Sequence, residues 1–130
     1  MFDVQVWRYR RLPQVSEDAL DSIARYYRRV TTTASPMGRL VGLAMAVLLA
    51  ALGVQAVRGD EPLWVSVVSI PAALLGIGLA AARIFGQARR LGTRRDLPEV
   101  QSELARGILR AHLVCLAAMV TLLAAQLAGA

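Results

Sequence analysis

Three side chains that could ligate a metal ion share one face of a predicted helix near the C-terminus. His112, Cys115 and Met119 recur at helical spacing, and copper, zinc or haem iron accepts imidazole, thiolate or thioether ligands. The spacing separates His112 from Met119 by about 10 Å along the helix axis, so an ion on His112 and Cys115 would need other ligands. We therefore expect no metal and no cofactor, with His112 at a membrane interface and Cys115 as a small packing residue.

The combinations of side chains that enzymes use are also missing from the sequence. The lone histidine, His112, has no carboxylate close to it in sequence, and the lone cysteine, Cys115, excludes an internal disulfide and every multi-cysteine metal site. No set of nucleophile, base and orienting group can be assembled, and no glycine-rich phosphate loop follows a strand. We predict that the protein is not an enzyme.

Three long uncharged stretches set the class of protein. They cover residues 40–57 (18 residues), 62–82 (21 residues) and 113–130 (18 residues). A helix needs about 20 apolar residues to cross a hydrocarbon core, and a soluble core would not need such unbroken blocks. We predict an all-α integral membrane protein whose residues 36–130 form a three-helix transmembrane domain. Its helices are expected at about 36–58, 61–84 and 97–129, the last with a cytoplasmic extension.

The distribution of arginine predicts the orientation of these helices. Fourteen of the fifteen arginines precede the first stretch or lie between the second and third, and only Arg58 lies between the first and second. Basic flanks of membrane helices stay in the cytoplasm. We therefore expect a cytoplasmic N-terminus and an external C-terminus. A chain rich in arginine and alanine without lysine is typical of a GC-rich bacterium, so the expected location is the bacterial cytoplasmic (inner) membrane.

Residues 1–35 are predicted as a cytoplasmic arm followed by an amphipathic helix. In that helix, at about 16–30, acidic residues come early and basic residues late, as the helix dipole favours. Its apolar stripe consists of Leu20, Ile23, Ala24, Tyr27 and Val30. So short a helix needs a surface, and the membrane interface and a partner subunit are the two candidates. Residues 2–11 alternate weakly, as in a short strand or an extended arm, and a mobile tail is the favoured interpretation.

Small residues recur at four-residue spacing in all three predicted transmembrane helices. The repeats are Gly38, Gly42, Ala46 and Ala50; Ala72, Gly76 and Ala80; and Ala117, Thr121, Ala125 and Gly129. Close backbone approach along such stripes drives helix association in lipid. An alanine-rich composition generates the same spacing by chance, but the glycines of the first stripe favour real helix contacts.

Local signals mark the ends of the predicted helices. Ser35 before Pro36 is a typical helix cap, Gly59 suits the end of the first helix, and Asp96 is a predicted cap for the third. Within the second helix Pro71 predicts a kink, for which a static bend is favoured over a gating hinge.

Few polar groups lie inside the predicted spans. Gln55 and Gln126 fall at similar depth near the outer ends, and we expect a hydrogen bond between the first and third helices there. No carboxylate lies within any span, which argues against proton relays and ion-coupled transport.

The basic residues near the inner membrane surface form a predicted interaction surface. It consists of Arg39, Arg83, Arg89, Arg90, Arg94 and Arg95. Guanidinium groups suit the phosphates of anionic lipids or an acidic face of a neighbouring subunit. The alternative is that these charges determine only the topology. Nucleic acid is not expected as a partner, because aromatic interleaving and binding motifs are absent.

Two functional classes remain open from the sequence. The favoured one is a small accessory subunit of a larger bacterial membrane complex, which would contribute helix packing, cytoplasmic docking and lipid contacts rather than chemistry. The alternative is a self-assembling, holin-like membrane protein in which several copies form a pore. A defined complex with other membrane subunits would distinguish the first class from a homo-oligomer.

Overall fold

The computed structural model describes residues 2–9, 11–12, 14–31 and 36–130, and these residues form helices joined by turns, with no strand among them. The helices are α1 (Phe2–Arg8), α2 (Glu17–Thr31), α3 (Pro36–Arg58), α4 (Leu63–Leu79), α5 (Phe85–Thr93) and α6 (Pro98–Gly129). A π-helical turn, Ala80–Ile84, joins α4 to α5 without a break. The predicted cap Ser35 lies outside the described residues, as do the side chain of Val30 and the surroundings of Gly38.

Three helical segments are long and apolar enough to cross a membrane. They are Arg39–Arg58 in α3, Leu63–Thr93 from α4 to α5, and Pro98–Gly129 in α6. The predicted all-α class with three candidate membrane-spanning helices is therefore confirmed, and it indicates a multi-pass membrane protein. Helix α3 stops at Gly59, whose φ of 67° is a conformation that glycine adopts without a steric penalty.

The long helices pack around a shared apolar cluster, with α6 lying mainly against α4 and α3 lying on α4. Leu52 of α3, Ala72 and Ala73 of α4, and Ala118 and Leu122 of α6 form this cluster. Pro71 lies inside α4, and the backbone stays helical on both sides of it. The backbone departs from α-helical geometry only further along the chain, at the π turn Ala80–Ile84.

Four elements form a second layer at the end of the bundle where α4 runs into α5. We call α1, α2, α5 and the first half of α6 the helical cap. Its core cluster comprises Val6, Ile23, Tyr27, Ala88, Leu91, Ala105, Ile108 and Leu109. Ile23, Leu91 and Ile108 are fully buried, and full burial of a side chain of this size contributes about 1.5–3 kcal/mol. The cap explains why the second long helix runs on to Thr93 rather than ending near residue 84, since α5 has its own packing surface.

Two expectations about local structure were wrong. Residues 2–11 were expected to form a strand, an extended arm or a mobile tail, whereas Phe2–Arg8 is helix α1 with Val6 fully buried in the cap. A tertiary contact here outweighs a weak alternation pattern. Asp96 does not cap α6, whose N-cap is Leu97 with no side-chain hydrogen bond, because the Asp96 carboxylate instead accepts hydrogen bonds from Arg90.

Candidate functional site

Cys115 and Met119, two of the three side chains that could ligate a metal ion, pack against α4. The Cys115 thiol lies 3.4 Å from the carbonyl oxygen of Gly76, and a Cβ atom added at Gly76 would lie 2.9 Å from Met119 Cε. Both side chains therefore fill the space that Gly76 leaves open. Among the described residues, no group of three or more His, Cys, Asp or Glu side chains is arranged to hold a metal ion.

A polar cluster joins the three long helices near the α3–α4 turn. Gln55 Nε2 donates to Gln126 Oε1 over 3.0 Å, and Gln126 Nε2 donates to Gln55 Oε1 over 3.2 Å. Gln126 Nε2 also lies 3.0 Å from the hydroxyl of Ser69, which is fully buried. The predicted contact between Gln55 and Gln126 is confirmed, and Ser69 extends it to α4.

The small-residue stripes lie in different surroundings. Ala72 and Gly76 of α4 are buried, as is Ala80, the first residue of the π turn. On α6, Ala125 is buried, while Ala117 and Thr121 are exposed and Ala118 and Leu122 take the packing positions. The buried face of α6 is therefore offset by one residue from the first two positions of the predicted stripe.

The stripe on α3 faces away from the rest of the chain. Gly42, Ala46 and Ala50 are exposed, and a Cβ atom added at Gly42 would have no neighbour within 4 Å in the described structure. Of the apolar window of α3, 6% is buried, against 33% for each of the other two long segments. Helix α3 therefore presents the largest uncovered apolar surface of the three.

The apolar stripe of α2 is covered by the same chain. Its described members Leu20, Ile23, Ala24 and Tyr27 are all buried, and α2 packs mainly on α5. The surface that α2 requires is thus provided by the other elements of the helical cap, mainly α5. The sequence did not indicate this packing. Any partner of the cap must therefore meet another face of it.

The arginines of the predicted interaction surface divide into two groups. Arg94 lies 2.8 Å from Glu17 and 2.7 Å from Asp21, and Arg90 donates two 2.9 Å hydrogen bonds to Asp96. The Arg90 contact lowers the pKa of Asp96, because its hydrogen bond favours the ionised carboxylate. The other members, Arg39, Arg83, Arg89 and Arg95, are exposed.

A cleft of about 750 Å³ lies between α6 and the segment that runs through the π turn. Its polar lining comprises Arg83, Gln87, Arg90, Glu103, Arg106 and Arg110. Its apolar lining includes Leu79, Val100, Leu104 and Val114. The cleft therefore combines four arginines and one carboxylate with an aliphatic wall, which makes it a candidate site for an anion.

The predicted interaction surface includes Arg83 and Arg90 of this lining but not Arg106 and Arg110, which lie in the same basic segment between the second and third uncharged stretches. The available signal was their spacing, since Arg106, Arg110 and Val114 follow one another at four-residue intervals on one face of α6. On the opposite wall Leu79, Arg83 and Gln87 repeat the same interval. The π turn lies within this wall, and π turns are frequent at functional sites.

The cleft can hold an anion next to an apolar group. Guanidinium groups bind phosphate or carboxylate through parallel N–H donors, and the aliphatic wall would contact a hydrocarbon chain.

Searches of protein-family models, curated proteins and solved structures find no match for this chain.

Proposed function

We propose that this chain is a small accessory subunit of a larger membrane protein complex in the cytoplasmic membrane of a bacterium. In this proposal the N-terminus and the helical cap face the cytoplasm, and the C-terminus faces outward. Anionic lipids contact the basic surface near the cap, and other membrane subunits are the protein partners. The chain contributes packing and docking rather than catalysis.

The observation that carries the proposal is the uncovered small-residue stripe of α3. Gly42, Ala46 and Ala50 are exposed, and Gly53 continues the same face because 11 residues are about three helical turns. No side chain within the described residues would contact a Cβ atom at Gly42 or Gly53. In lipid, a face without bulky side chains gains more from a closely packed helix than from acyl chains.

The buried polar side chains of the described structure support a structural role. They are Ser69, Gln101 and Ser102. Ser69 contacts Gln126, and Gln101 donates to the carbonyl oxygen of Asp96. Ser102 accepts from the backbone N–H of Val15 and donates to the carbonyl oxygen of Pro98. Ser69 thus joins α4 to α6, Gln101 holds the turn before α6, and Ser102 holds the segment before α2 against α6.

The test compares two substitutions on α3 in the full-length tagged chain, extracted from its host membrane in a mild detergent. We expect the unaltered chain to co-purify with other membrane subunits. Gly42→Ile should remove most of that material, because the larger side chain prevents close helix approach. Ala51→Ile is the matched control, since Ala51 is exposed about 180° around α3 from Gly42 and should leave the complex intact.

A homo-oligomer that contains no other subunit would overturn the accessory-subunit proposal. Ion leakage on overexpression together with such a homo-oligomer would instead favour the pore. Equal loss of partners from both isoleucine variants would show that the stripe is not the contact surface.

A further inference from the structure

The two walls of the arginine-lined cleft have the same order of side chains along the bundle. Arg83 lies one helical turn from Leu79, and Arg110 lies one turn from Val114, with all four side chains lining the cleft. The contact between Cys115 and Gly76 fixes the two helices in this antiparallel register. In these two pairs, each wall supplies one guanidinium group (Arg83 or Arg110) and, one turn nearer the centre of the bundle, one aliphatic side chain (Leu79 or Val114).

The position of the cleft along the helices matches a membrane surface. Arg83 follows Leu63, the first residue of α4, by about 20 residues, which corresponds to about 30 Å of helix. This distance equals the thickness of a hydrocarbon core. If α4 starts at the outer surface, Arg83 and Arg110 lie at the inner headgroup level, and Leu79 and Val114 lie at the first acyl carbons.

The two central arginines are available for a ligand. Arg83 and Arg110 are exposed, and neither forms a hydrogen bond or ion pair within the described part of the chain. Arg90, by contrast, is engaged with Asp96. Glu103 is the single carboxylate of the lining, so the cleft has an excess of positive charge that complements an anion.

The aliphatic wall selects the kind of anion. A free phosphate or a nucleotide would use the arginines but not Leu79 and Val114, which lie at the level of the acyl chains. A phospholipid uses both parts of the lining at once. Basic pockets between transmembrane helices on the cytoplasmic side are a recurrent form of lipid headgroup site.

We propose that this cleft binds one anionic phospholipid, with its phosphate between Arg83 and Arg110 and an acyl chain along Leu79 and Val114. The proposal rests on the membrane insertion assumed in the proposed function and adds a defined, stoichiometric lipid site to it. The lipid fills a gap between α6 and the π turn and thereby supports the junction of bundle and cap.

The experiment uses the full-length chain in nanodiscs that contain equal amounts of phosphatidylglycerol and phosphatidylcholine. Native mass spectrometry counts the lipids that each released chain retains. We expect one retained phosphatidylglycerol, and Arg83→Gln with Arg110→Gln should lower the preference for phosphatidylglycerol at least about tenfold. The control pair Arg25→Gln with Arg29→Gln removes the same charge at exposed positions outside both the cleft and the predicted interaction surface, and it should keep the preference.

A second variant tests the cleft without any change in charge. Gly107 lines the cleft, and a Cβ atom there would lie 3.2 Å from the side-chain oxygen of Gln87. Gly107→Leu should narrow the cleft and reduce phosphatidylglycerol retention. Retention that falls equally in both glutamine pairs, or that survives in the cleft pair and in Gly107→Leu, would overturn the lipid site.

Membrane integration is measured on the same samples by alkaline extraction. A chain that the alkaline wash removes would contradict the proposed function itself. A chain that stays in the membrane but shows no preference for phosphatidylglycerol would contradict only the lipid site. The two failures are therefore distinguishable.

Discussion

Arg94 connects three elements of the helical cap through one side chain. It has a positive φ of 54° and follows the last residue of α5, so it closes that helix in the left-handed conformation. Its guanidinium group contacts Glu17 and Asp21 of α2 and donates to Gln101 Oε1 of α6 over 2.5 Å. The side chain therefore ties α2 to the chain reversal between α5 and α6.

Replacing Arg94 with alanine should loosen α2 without unfolding the cap. Because both carboxylates are more than half exposed, each ion pair is worth only about 0.2–1 kcal/mol, and the total loss should be about 1 kcal/mol. Hydrogen exchange of the α2 amides should become about fivefold faster at low salt. In Arg94→Gly the exchange rate of the α2 amides should be closer to that of the unaltered chain, because glycine removes the strain of a positive φ.

Salt and a neighbouring arginine provide the controls for this effect. At 1 M salt the difference between Arg94→Ala and the unaltered chain should shrink, because the screening length falls to about 3 Å. Arg95→Ala, at an exposed position next in sequence, should exchange like the unaltered chain. Equal protection of α2 in all variants at low salt would show that the ion pairs contribute nothing.

Only some contacts between side chains were foreseeable from the sequence. The Gln55–Gln126 pair could be predicted because two amides at similar depth in apolar helices have few alternative partners. The contacts of Arg94 with Glu17 and Asp21 could not, since exposed ionic groups on distant segments have many alternative partners. The hydrogen bond that the Arg106 guanidinium group donates to the backbone carbonyl of Leu12 could not be predicted for a related reason, because the two residues lie far apart in the sequence.

Among the elements, α2 depends on a single buried face. Ile23 is fully buried against Ala88, Leu91 and Ile108, whereas the neighbouring Arg25 is exposed. Ile23→Ala removes this contact and leaves a cavity, which costs about 2–5 kcal/mol. This loss of stability exceeds that expected from losing both ion pairs of Arg94. Helix α2 should therefore detach from α5 and α6 for a measurable fraction of the time.

Limited proteolysis with chymotrypsin measures this detachment, because Tyr26 and Tyr27 lie in α2. The purified full-length Ile23→Ala chain should be cleaved there at least tenfold faster than the unaltered chain. Arg25→Ala keeps both tyrosines and should be cleaved at the unaltered rate. Unchanged cleavage of Ile23→Ala would mean that the packing against α5 does not hold α2.

Elements with strong periodic or compositional signals were predictable, and elements defined by tertiary contacts were not. Helices α3 and α6 follow from uncharged stretches and from Gly59 and Pro98 at their ends. Helix α1 depends on the burial of Val6 by other parts of the chain, and no local sequence pattern predicts that burial. The π turn at Ala80–Ile84 likewise leaves no distinct trace in an alanine-rich segment.

At the scale of the whole molecule, the basic cap lies at one end of the apolar bundle and the α3–α4 turn lies at the other. The helices of the cap, α1, α2, α5 and the first half of α6, hold eight of the fifteen arginines, while the α3–α4 turn at the other end carries Arg58, Asp60 and Glu61. The candidate cleft lies where these two layers meet. The sequence supplied both layers in outline, but the cleft depends on how α6 packs beside the π turn.

This asymmetry predicts how the chain is oriented in a membrane. Basic flanks remain on the cytoplasmic side, so Asp60 should lie outside and Arg95 inside. We propose to introduce Asp60→Cys and Arg95→Cys separately, each with Cys115→Ser, because a serine hydroxyl can still donate to the Gly76 carbonyl. In intact cells or right-side-out vesicles, a membrane-impermeant maleimide should label Asp60→Cys, whereas Arg95→Cys should react only after lysis. Labelling in the reverse order would place the helical cap outside and remove the cytoplasmic docking role, whatever partners the chain proves to have.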